Sequence, residues 1–368
     1  MSEYKKIHGI HIQSLASDPS NLGAGQVWYN TTSNQLKITS NKTTGTWATG
    51  DTMGQTRYDA VGAGIQTDAI GYGSYYSATE HYDGSAWTAG GTRLENVSYS
   101  SGCGATSTTA INFGGGTPSN RFSTNTYHYD GSNWTTGGNM GTGRASIAGA
   151  GTDTAGLAFG GSSNPPLTIY NATEHYDGSA WTAGGNLGTG RYALAGAGTD
   201  TAGLAFGGRG VYTGVTNITE HYDGSAWTSG GNMGTARYSL AGAGTDTAGL
   251  GFGGYASMDS VNATEHYDGS AWTAGGNMAT TRYNLAGAGT DTAGLAFGGN
   301  HITNTKTNAT EHYDGSAWTA GGNMGTGREN LGSAGTLSAG LAFGGAFGSN
   351  ATEEYAGPGI TTQTVTAS

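Results

Sequence analysis

This chain of 368 residues is poor in several features that identify common protein classes. It has one cysteine, Cys103, so no disulfide can form within the chain and cysteine usage does not indicate a compartment. It has only 5 prolines, and no hydrophobic run is long enough to cross a bilayer. The start, Met1 to Lys6, lacks the long apolar core of a signal peptide. We therefore expect neither a disulfide scaffold nor membrane insertion.

Positive charge is also scarce. Lysine and arginine number 14 against 25 acidic residues, which gives a net charge of −11. A protein with this balance is not expected to bind nucleic acid or an anionic membrane. Glycine, in contrast, is abundant, with 71 residues. Such a content would suggest disorder, but here the glycines recur at fixed positions of a repeat.

The repeat is clearest between residues 191 and 227. An arginine is followed by an alternating apolar run, a turn, a second apolar run ending in Gly207-Gly208, a variable insert, and a third run ending in Tyr222-Asp223. A fourth run contains Trp227. The same text recurs at a period of 40 to 50 residues, which is typical of repeat folds. Four short alternating runs per repeat predict four strands, and therefore an all-β propeller.

This pattern resembles the Kelch repeat in its paired glycines, its Tyr-Asp, its tryptophan and the arginine before the first strand. The resemblance covers roughly residues 43–357 and implies a β-propeller, and the count of strands along the chain predicts seven blades. One departure is that Asp223 and Trp227 are only four positions apart, closer than in most Kelch repeats. An Asp-Gly pair between alternating runs favours a two-residue type I′ hairpin, which we expect here.

Counting the strands predicts how the ring closes. The second and third strands each occur seven times, but only six tryptophan-bearing fourth strands follow them, and the missing one lies near Trp47. We therefore expect the N-terminal strand to complete the last blade, beside Tyr355. This closure would remove the exposed sheet edges of an open array. The expected domains are a leader over 1–42, the propeller over 43–357 and a C-terminal tail over 358–368.

The leader is not part of the repeat. Two short alternating runs flank residues 32–34 and predict a small hairpin. With Asp18-Pro19 and the run from Gly25 to Asn30, the segment resembles the leaders of tail-fibre and other virion proteins of marine bacteriophages. This resemblance implies that the leader anchors the chain to other virion proteins, and that the protein is located in the virion.

Nearly all length variation lies in the insert between strands 2 and 3. In a propeller these inserts share one face with the connections between blades, opposite the constant turns. They are rich in Tyr, Ser, Asn and Thr, a composition typical of adaptable recognition loops; drift in unconstrained loops is the equally weighted alternative. The candidate ligand-binding residues on this face are Asn164, Tyr170, Arg209, Tyr212, Tyr255, Met258, Asp259, His301 and Lys306.

Arginine before strand 1 and glutamate in strand 3 occur together in six repeats, and the second repeat lacks both, with Tyr127 replacing the glutamate. Their joint loss predicts a structural ion pair within each of the other blades. A ring of arginines that binds an anion is the less favoured alternative. The expected pairs are Arg57 and Glu80, Arg144 and Glu174, Arg191 and Glu220, Arg237 and Glu265, Arg282 and Glu311, and Arg328 and Glu353.

Catalytic, metal and cofactor sites are not predicted. The histidines recur once per repeat and would be spread around the disc, too far apart to share a metal. Aspartates of the turns between strands 1 and 2 fit a turn-forming role better than a cation site. A glycosidase needs two carboxylates that flank one bond, and the variable inserts supply little beyond Asp259.

Together these features predict a non-enzymatic virion propeller whose variable face binds a host surface glycan or protein. The first alternative is a decoration or adaptor protein that packs against other virion proteins. The second alternative is a glycan-cleaving enzyme. No nucleic acid, membrane or cofactor is expected as a partner.

Overall fold

The structure, a computed structural model, describes residues 12–20, 23, 25–42, 44–73, 76–104, 106–119, 122–164, 167–345 and 348–364. Residues 1–6, on which the absence of a signal peptide was argued, lie outside this part. All regular elements in the described ranges are β-strands, without a helix, as the repeat pattern predicts. The chain forms two compact units, residues 46–356 and residues 1–45 together with 357–368.

The larger unit contains seven four-stranded sheets in its described part, each antiparallel throughout. We number them in chain order by their first strand. Sheets 1 to 4 consist of Ala60–Ile65, Asp68–Gly73, Ala78–Tyr82 and Trp87–Thr92; Ser101–Cys103, Ala110–Phe113, Thr126–Tyr129 and Trp134–Thr136; Ala148–Gly151, Gly156–Phe159, Thr173–Tyr176 and Trp181–Ala183; and Ala195–Gly198, Gly203–Phe206, Thr219–Tyr222 and Trp227–Ser229.

Sheets 5 to 7 continue the same order. They consist of Ala241–Gly244, Gly249–Phe252, Thr264–Tyr267 and Trp272–Ala274; Ala286–Gly289, Gly294–Phe297, Thr310–Tyr313 and Trp318–Ala320; and Gly332–Gly335, Ala339–Phe343, Thr352–Ala356 and Thr46–Thr49. The fourth strand of sheet 7 thus comes from the other end of the chain, and Trp47 pairs with Tyr355. These repeated four-stranded sheets fit a propeller-like repeat fold.

The apolar core lies between consecutive sheets. One cluster packs Leu157 and Phe159 of sheet 3 against Ala205, Tyr222 and the partly buried Trp227 of sheet 4. Each of the remaining pairs of consecutive sheets is joined by an equivalent cluster, and another such cluster joins sheet 7 to sheet 1. Small residues in strand 1 make this contact possible, because a Cβ at Gly196 would lie 2.8 Å from the Phe159 ring.

A hydrogen bond from the tryptophan of each fourth strand accompanies this packing. The indole Nε1 donates to a threonine hydroxyl in the third strand of the preceding sheet, at 2.6–2.8 Å. The partners are Trp47 and Thr310, Trp87 and Thr352, Trp134 and Thr79, Trp181 and Thr126, Trp227 and Thr173, Trp272 and Thr219, and Trp318 and Thr264.

The turn between strands 3 and 4 differs from the expected type I′ hairpin. Tyr222 pairs with Trp227, so the loop contains four residues, and only Gly224 among them has positive φ. Asp223 Oδ1 instead accepts hydrogen bonds from the backbone N–H of Ser225 and Ala226, both at 2.8 Å. The Asp223 N–H also donates to the Ala226 carbonyl oxygen at 3.2 Å. The prediction of a type I′ turn was wrong, because that turn needs positive φ at both Asp223 and Gly224 and Asp223 does not have it.

The smaller unit is a four-stranded sheet of its own. Its strands are Gln13–Leu15, Val27–Asn30, Gln35–Lys42 and Gly359–Thr364, in that order, with the first pair parallel. The second and third strands form the hairpin around residues 32–34. The fourth strand comes from the C-terminal segment, so leader and tail share one sheet. Residues 365–368 lie beyond the described part.

Candidate functional site

Six buried ion pairs hold strand 1 to strand 3 within their sheets. The guanidinium Nη2 of each arginine lies 2.7–3.0 Å from Oε1 of the glutamate, at the six positions where the sequence places both residues. The arginine side chains are 0–3% exposed. Guanidinium groups this deeply buried do not form a surface ring for an anion.

Backbone groups form hydrogen bonds with both residues of each ion pair. In sheet 4 Arg191 Nη1 donates to the carbonyl oxygens of Gly207 and Ile218, both at 2.8 Å. Glu220 Oε2 accepts the N–H of Gly188 at 2.6 Å. Burial lowers the pKa of Arg191, and the charge of Glu220 opposes that effect. Every charge is therefore compensated locally, which gives these residues a structural role.

Sheet 2 lacks the ion pair and instead contacts a buried arginine at a different position in the sequence. Arg93 is 2% exposed; its Nη1 donates to Asn112 Oδ1 at 2.5 Å and its Nη2 to the Tyr76 carbonyl oxygen at 3.0 Å. The sequence reading missed this substitution because Arg93 precedes the expected position near Ser98. The available signal was Asn112, a polar residue inside the otherwise apolar second strand.

The histidines connect neighbouring sheets. Nε2 of the third-strand histidine contacts the hydroxyl of the third-strand tyrosine in the following sheet, for example His175 with Tyr222. The same contact recurs for His81, His128, His221, His266 and His312. Sheet 7 has Glu354 at this position, and its carboxylate accepts from Tyr82 of sheet 1. Among the described residues no group of three or more His, Cys, Asp or Glu could hold a metal ion.

The variable inserts begin beside strand 1 of their own sheet. Isolated backbone bridges join Tyr192 to Arg209 and Tyr238 to Tyr255. Three inserts contain a short two-stranded hairpin. Their exposed tips contain Asn164, Tyr212, Met258 and Asp259. Tyr212 is 98% exposed and Met258 is 83% exposed. The prolines of the sheet 3 insert, residues 165 and 166, lie outside the described residues.

The other predicted ligand residues contact their surroundings. Tyr170 shares a hydrogen bond with Ser163, and His301 Nδ1 with Thr303. The guanidinium carbon of Arg209 lies 5.8 Å from the centre of the Tyr238 ring. The Tyr255 ring packs between Tyr238 and Tyr283, with distances between ring centres of 5.4 and 5.3 Å. Lys306 Nζ lies 3.6 Å from Glu329 Oε1. The structure therefore brings Arg209 and Tyr255 together around Tyr238, and leaves Tyr212 and Met258 in solvent.

A depression of about 370 Å³ lies beside these inserts and is lined by residues from all seven sheets. We call it the tyrosine pocket. Its lining comprises Tyr58, Tyr99, Ser146, Ile147, Tyr192, Ala193, Leu194, Tyr238, Ser239, Leu240, Asn284 and Asn330. The sequence reading missed this site, because its residues come from seven repeats and differ in type. The recurring tyrosine after the arginine was the available signal.

The backbone around the tyrosine pocket is unusual. One residue per sheet, one or two positions before strand 1, has a positive φ of 50–55° although it is not glycine: Asp59, Tyr99, Ser146, Ala193, Ser239, Asn284 and Asn330. The left-handed conformation costs about 1–2 kcal/mol per residue. Hydrogen bonds between sheets offset it, since Ser239 N–H donates to the Ala193 carbonyl oxygen at 2.9 Å and equivalent bonds join most of the series. This shared backbone conformation fixes the positions from which the side chains of the pocket extend.

Two neighbouring carboxylates, Asp59 and Glu329, adjoin pocket residues in the sequence without lining the pocket themselves. Burial raises the pKa of Asp59 to about 7, and the charge of Glu329 adds to this effect. Asp59 Oδ2 is buried without a hydrogen-bond partner. Glu329, only 8% exposed, accepts hydrogen bonds from Asn284 and Asn300 at 3.2 and 3.1 Å. The unsatisfied carboxylate oxygen is therefore buried next to the tyrosine pocket residues in the sequence and is not part of the pocket surface.

No family model matches the chain, and no curated protein matches its sequence. No helix in the described ranges has the length and apolar character needed to cross a membrane.

Proposed function

We propose that residues 46–356 form a closed seven-bladed propeller of Kelch-like type. The pairing of Trp47 with Tyr355 supports this arrangement, because it gives sheet 7 its fourth strand. The Trp87 indole supports it further, since it donates to Thr352 and so links sheet 1 to sheet 7 as the other sheets are linked to one another. A pocket lined from all seven sheets is expected where seven blades meet at one axis.

The protein acts, in this proposal, as a non-enzymatic virion component that binds a host surface glycan or protein. The tyrosine pocket beside the variable inserts carries this proposal, because concave sites lined by aromatic rings and a few polar groups are typical of ligand binding. The carboxylates of Asp59 and Glu329 do not favour catalysis, since neither lines the pocket. Both oxygens of Glu329 already have partners, in Asn284, Asn300 and Lys306, so this carboxylate is not available as a base or nucleophile.

The leader supplies attachment to other virion proteins in this proposal. Its resemblance to marine phage leaders supports the role, and so does its membership of a compact unit separate from the propeller.

Adsorption of fluorescently labelled protein to a panel of marine bacterial cells tests the proposal. We expect binding to a subset of the panel, with the surface polysaccharide of those cells recovered at its original length. The triple variant Arg209→Ser, Tyr212→Ser and Met258→Ser should reduce adsorption at least tenfold while the melting temperature stays close to that of the wild type.

The matched control changes the opposite end of the same sheets. Thr154, Thr201 and Thr247 are exposed in the turns between strands 1 and 2, and their triple alanine variant should adsorb like the wild type. Loss of adsorption in this control with full adsorption of the insert variant would move the binding surface to the constant turns. Shortened polysaccharide chains would instead favour an enzyme.

A further inference from the structure

Arg209 differs from the other arginines that the structure describes. Six of them are buried in ion pairs with glutamates, and Arg93 is buried against Asn112. Arg209 begins the insert of sheet 4, is exposed, and forms no ion pair with a carboxylate in the described part of the chain. An exposed guanidinium without a counter-charge is scarce in a chain whose net charge is −11. Arg209 is therefore a candidate for binding a negative charge from outside the chain.

Aromatic contacts hold Arg209 beside the tyrosine pocket. Its guanidinium carbon lies 5.8 Å from the centre of the Tyr238 ring, which is within the range of a cation–π interaction. Its backbone N–H and carbonyl oxygen both bond to the backbone of Tyr192, at 3.0 Å. Tyr192 and Tyr238 are partly exposed and both line the pocket. An anion bound by Arg209 would therefore lie next to the pocket lining.

The pocket itself offers uncharged polar and aromatic surface. None of the residues that line it is charged. Its tyrosine rings lie among the hydroxyls of Ser146 and Ser239 and the side-chain amides of Asn284 and Asn330. Rings provide a surface for the apolar face of a ligand, while hydroxyls and amides form hydrogen bonds with its polar groups. This combination suits a saccharide, which has an apolar ring face and a rim of hydroxyl groups.

The carboxylates of the neighbourhood leave Arg209 open to an anion. Asp59 and Glu329 precede the first strands of sheets 1 and 7, and sheets 5 and 6 lie between sheet 7 and sheet 4 in the order of packing. Lys306, 3.6 Å from Glu329, also offsets its charge. Asp259 is exposed in the insert of sheet 5 and is not within ion-pair distance of Arg209. The planar guanidinium fork matches the oxygen atoms of a carboxylate or another oxyanion.

The geometry points to Arg209 as the binding residue for the anionic group of an acidic saccharide, a carboxylate or a sulfate ester, with the sugar ring packed on Tyr192 and Tyr238 at the edge of the tyrosine pocket. This inference rests on the proposed binding function and names its ligand class. It makes one side chain at the base of an insert, rather than the exposed tips at Tyr212 and Met258, decide which glycans bind.

Sheet 3 provides replacements that the backbone already accepts. Ser162 occupies the position of Arg209 in that sheet, and Ala145 occupies the position of Tyr238, with the same backbone bridge between them. Arg209→Ser and Tyr238→Ala should therefore fold normally. Arg209→Lys keeps the charge but loses the planar fork. Lys37→Ser removes the same charge from the smaller unit and is the matched control.

Isothermal titration calorimetry measures binding of oligosaccharides of galacturonate, of sulfated galactose and of neutral galactose, with oligoglutamate as an acidic peptide. We expect the intact protein to bind at least one acidic oligosaccharide about tenfold or more tightly than the neutral one, as a charged hydrogen bond implies. Arg209→Ser should remove this preference and Arg209→Lys should retain part of it. Tyr238→Ala should weaken acidic and neutral binding alike, and Lys37→Ser should bind like the wild type. Added salt should weaken acidic binding by the intact protein but not the residual binding by Arg209→Ser.

The two acidic oligosaccharides distinguish a carboxylate from a sulfate ester as the bound group. Equal or tighter binding of the neutral oligosaccharide, or full acidic binding by Arg209→Ser, would overturn the inference. Binding of oligoglutamate alone would also overturn it and would indicate a protein partner. Adsorption to cells that survives Arg209→Ser but is lost with Tyr212→Ser and Met258→Ser would refute this inference and leave the proposed function in place. Binding of acidic oligosaccharides without adsorption to any cell would refute the proposed function alone.

Discussion

Among single residues, the most repeated polar interaction is the buried arginine–glutamate pair. In sheet 4, Arg191→Ala leaves Glu220 in a buried site without its cation, which should cost about 3–5 kcal/mol. Exchanging both residues for apolar ones should cost less than the sum of the two single changes. Urea unfolding of the four proteins in a double-mutant cycle measures the coupling, and strictly additive losses would contradict the pairing.

Asp59 differs from these glutamates because its buried Oδ2 has no cationic or hydrogen-bonding partner. Its folded-state pKa, about 7, lies above the ordinary value of 3.8, so the stability that its protonated form contributes is complete below pH 3.8 and lost as pH rises through 7. The charges that face it are Glu329 and, at high pH, Tyr58.

Asp59→Asn should therefore stabilise the protein by about 2–4 kcal/mol at pH 8 and by little near pH 4. Asparagine keeps the left-handed backbone, since it already occupies the equivalent position at Asn284 and Asn330. Unfolding free energies at the two pH values measure the difference. An equal effect at both would show that Asp59 does not titrate in this way.

The third strands are connected by histidines, and this gives the sheets a common response to acid. Burial is the main cause that lowers the pKa of all six histidines below 6.5. A depressed folded-state pKa means that the stability is fully present above pH 6.5 and is lost as pH falls below it. Unfolding protonates the imidazoles, so acid favours the unfolded chain.

The free energy of unfolding should fall between pH 7 and pH 5 in an Asp59→Asn background, in which the opposing titration of Asp59 is absent. Replacing His175, His221 and His266 by glutamine should remove about half of this pH dependence, since three of six equal groups are lost. Urea midpoints at three pH values measure it. An unchanged pH dependence in the triple variant would assign acid sensitivity to other groups.

Strand types and ion-pair partners could be predicted from the sequence because they repeat. The alternation of apolar residues and the shared loss of arginine and glutamate in the second repeat are both visible by comparing repeats. The tyrosine pocket could not be predicted in this way. Its left-handed positions hold residues as different as Asp59, Tyr99 and Ala193, because the requirement there is imposed by backbone hydrogen bonds between sheets.

Of the two strand pairings between the ends of the chain, one could be predicted from the sequence and the other could not. The pairing of Trp47 with Tyr355 follows from counting tryptophans, since a repeat that lacks its fourth strand must obtain one elsewhere. The pairing of Gln35–Lys42 with Gly359–Thr364 has no repeat to indicate it. Arg93 was missed for a related reason, because its shift along the chain hides its equivalence to the other arginines.

For the molecule as a whole, truncation distinguishes the role of the leader from that of the Trp47 strand in the proposed ring. Deleting residues 1–26 leaves the strand Thr46–Thr49 in place, so the unit of residues 46–356 should melt cooperatively near the wild-type temperature. Deleting residues 1–50 removes Trp47 and exposes the edge of Thr352–Ala356 and the apolar surface beneath, which should cause aggregation or loss of cooperative melting. Calorimetry compares the two, and equal behaviour would argue against a structural role for the Trp47 strand.

Closure of the ring is the central claim, and an engineered disulfide tests it most directly. Thr46 pairs with Ala356 although about 300 positions separate them in the sequence. Oxidation of Thr46→Cys with Ala356→Cys should give a disulfide in nearly all molecules by mass spectrometry, and a higher melting temperature. Thr46→Cys with Asp314→Cys, the position after Tyr313 in sheet 6, should stay reduced. Free thiols at positions 46 and 356 after oxidation, or linkage of 46 to 314, would contradict a seven-bladed ring closed by the N-terminal strand.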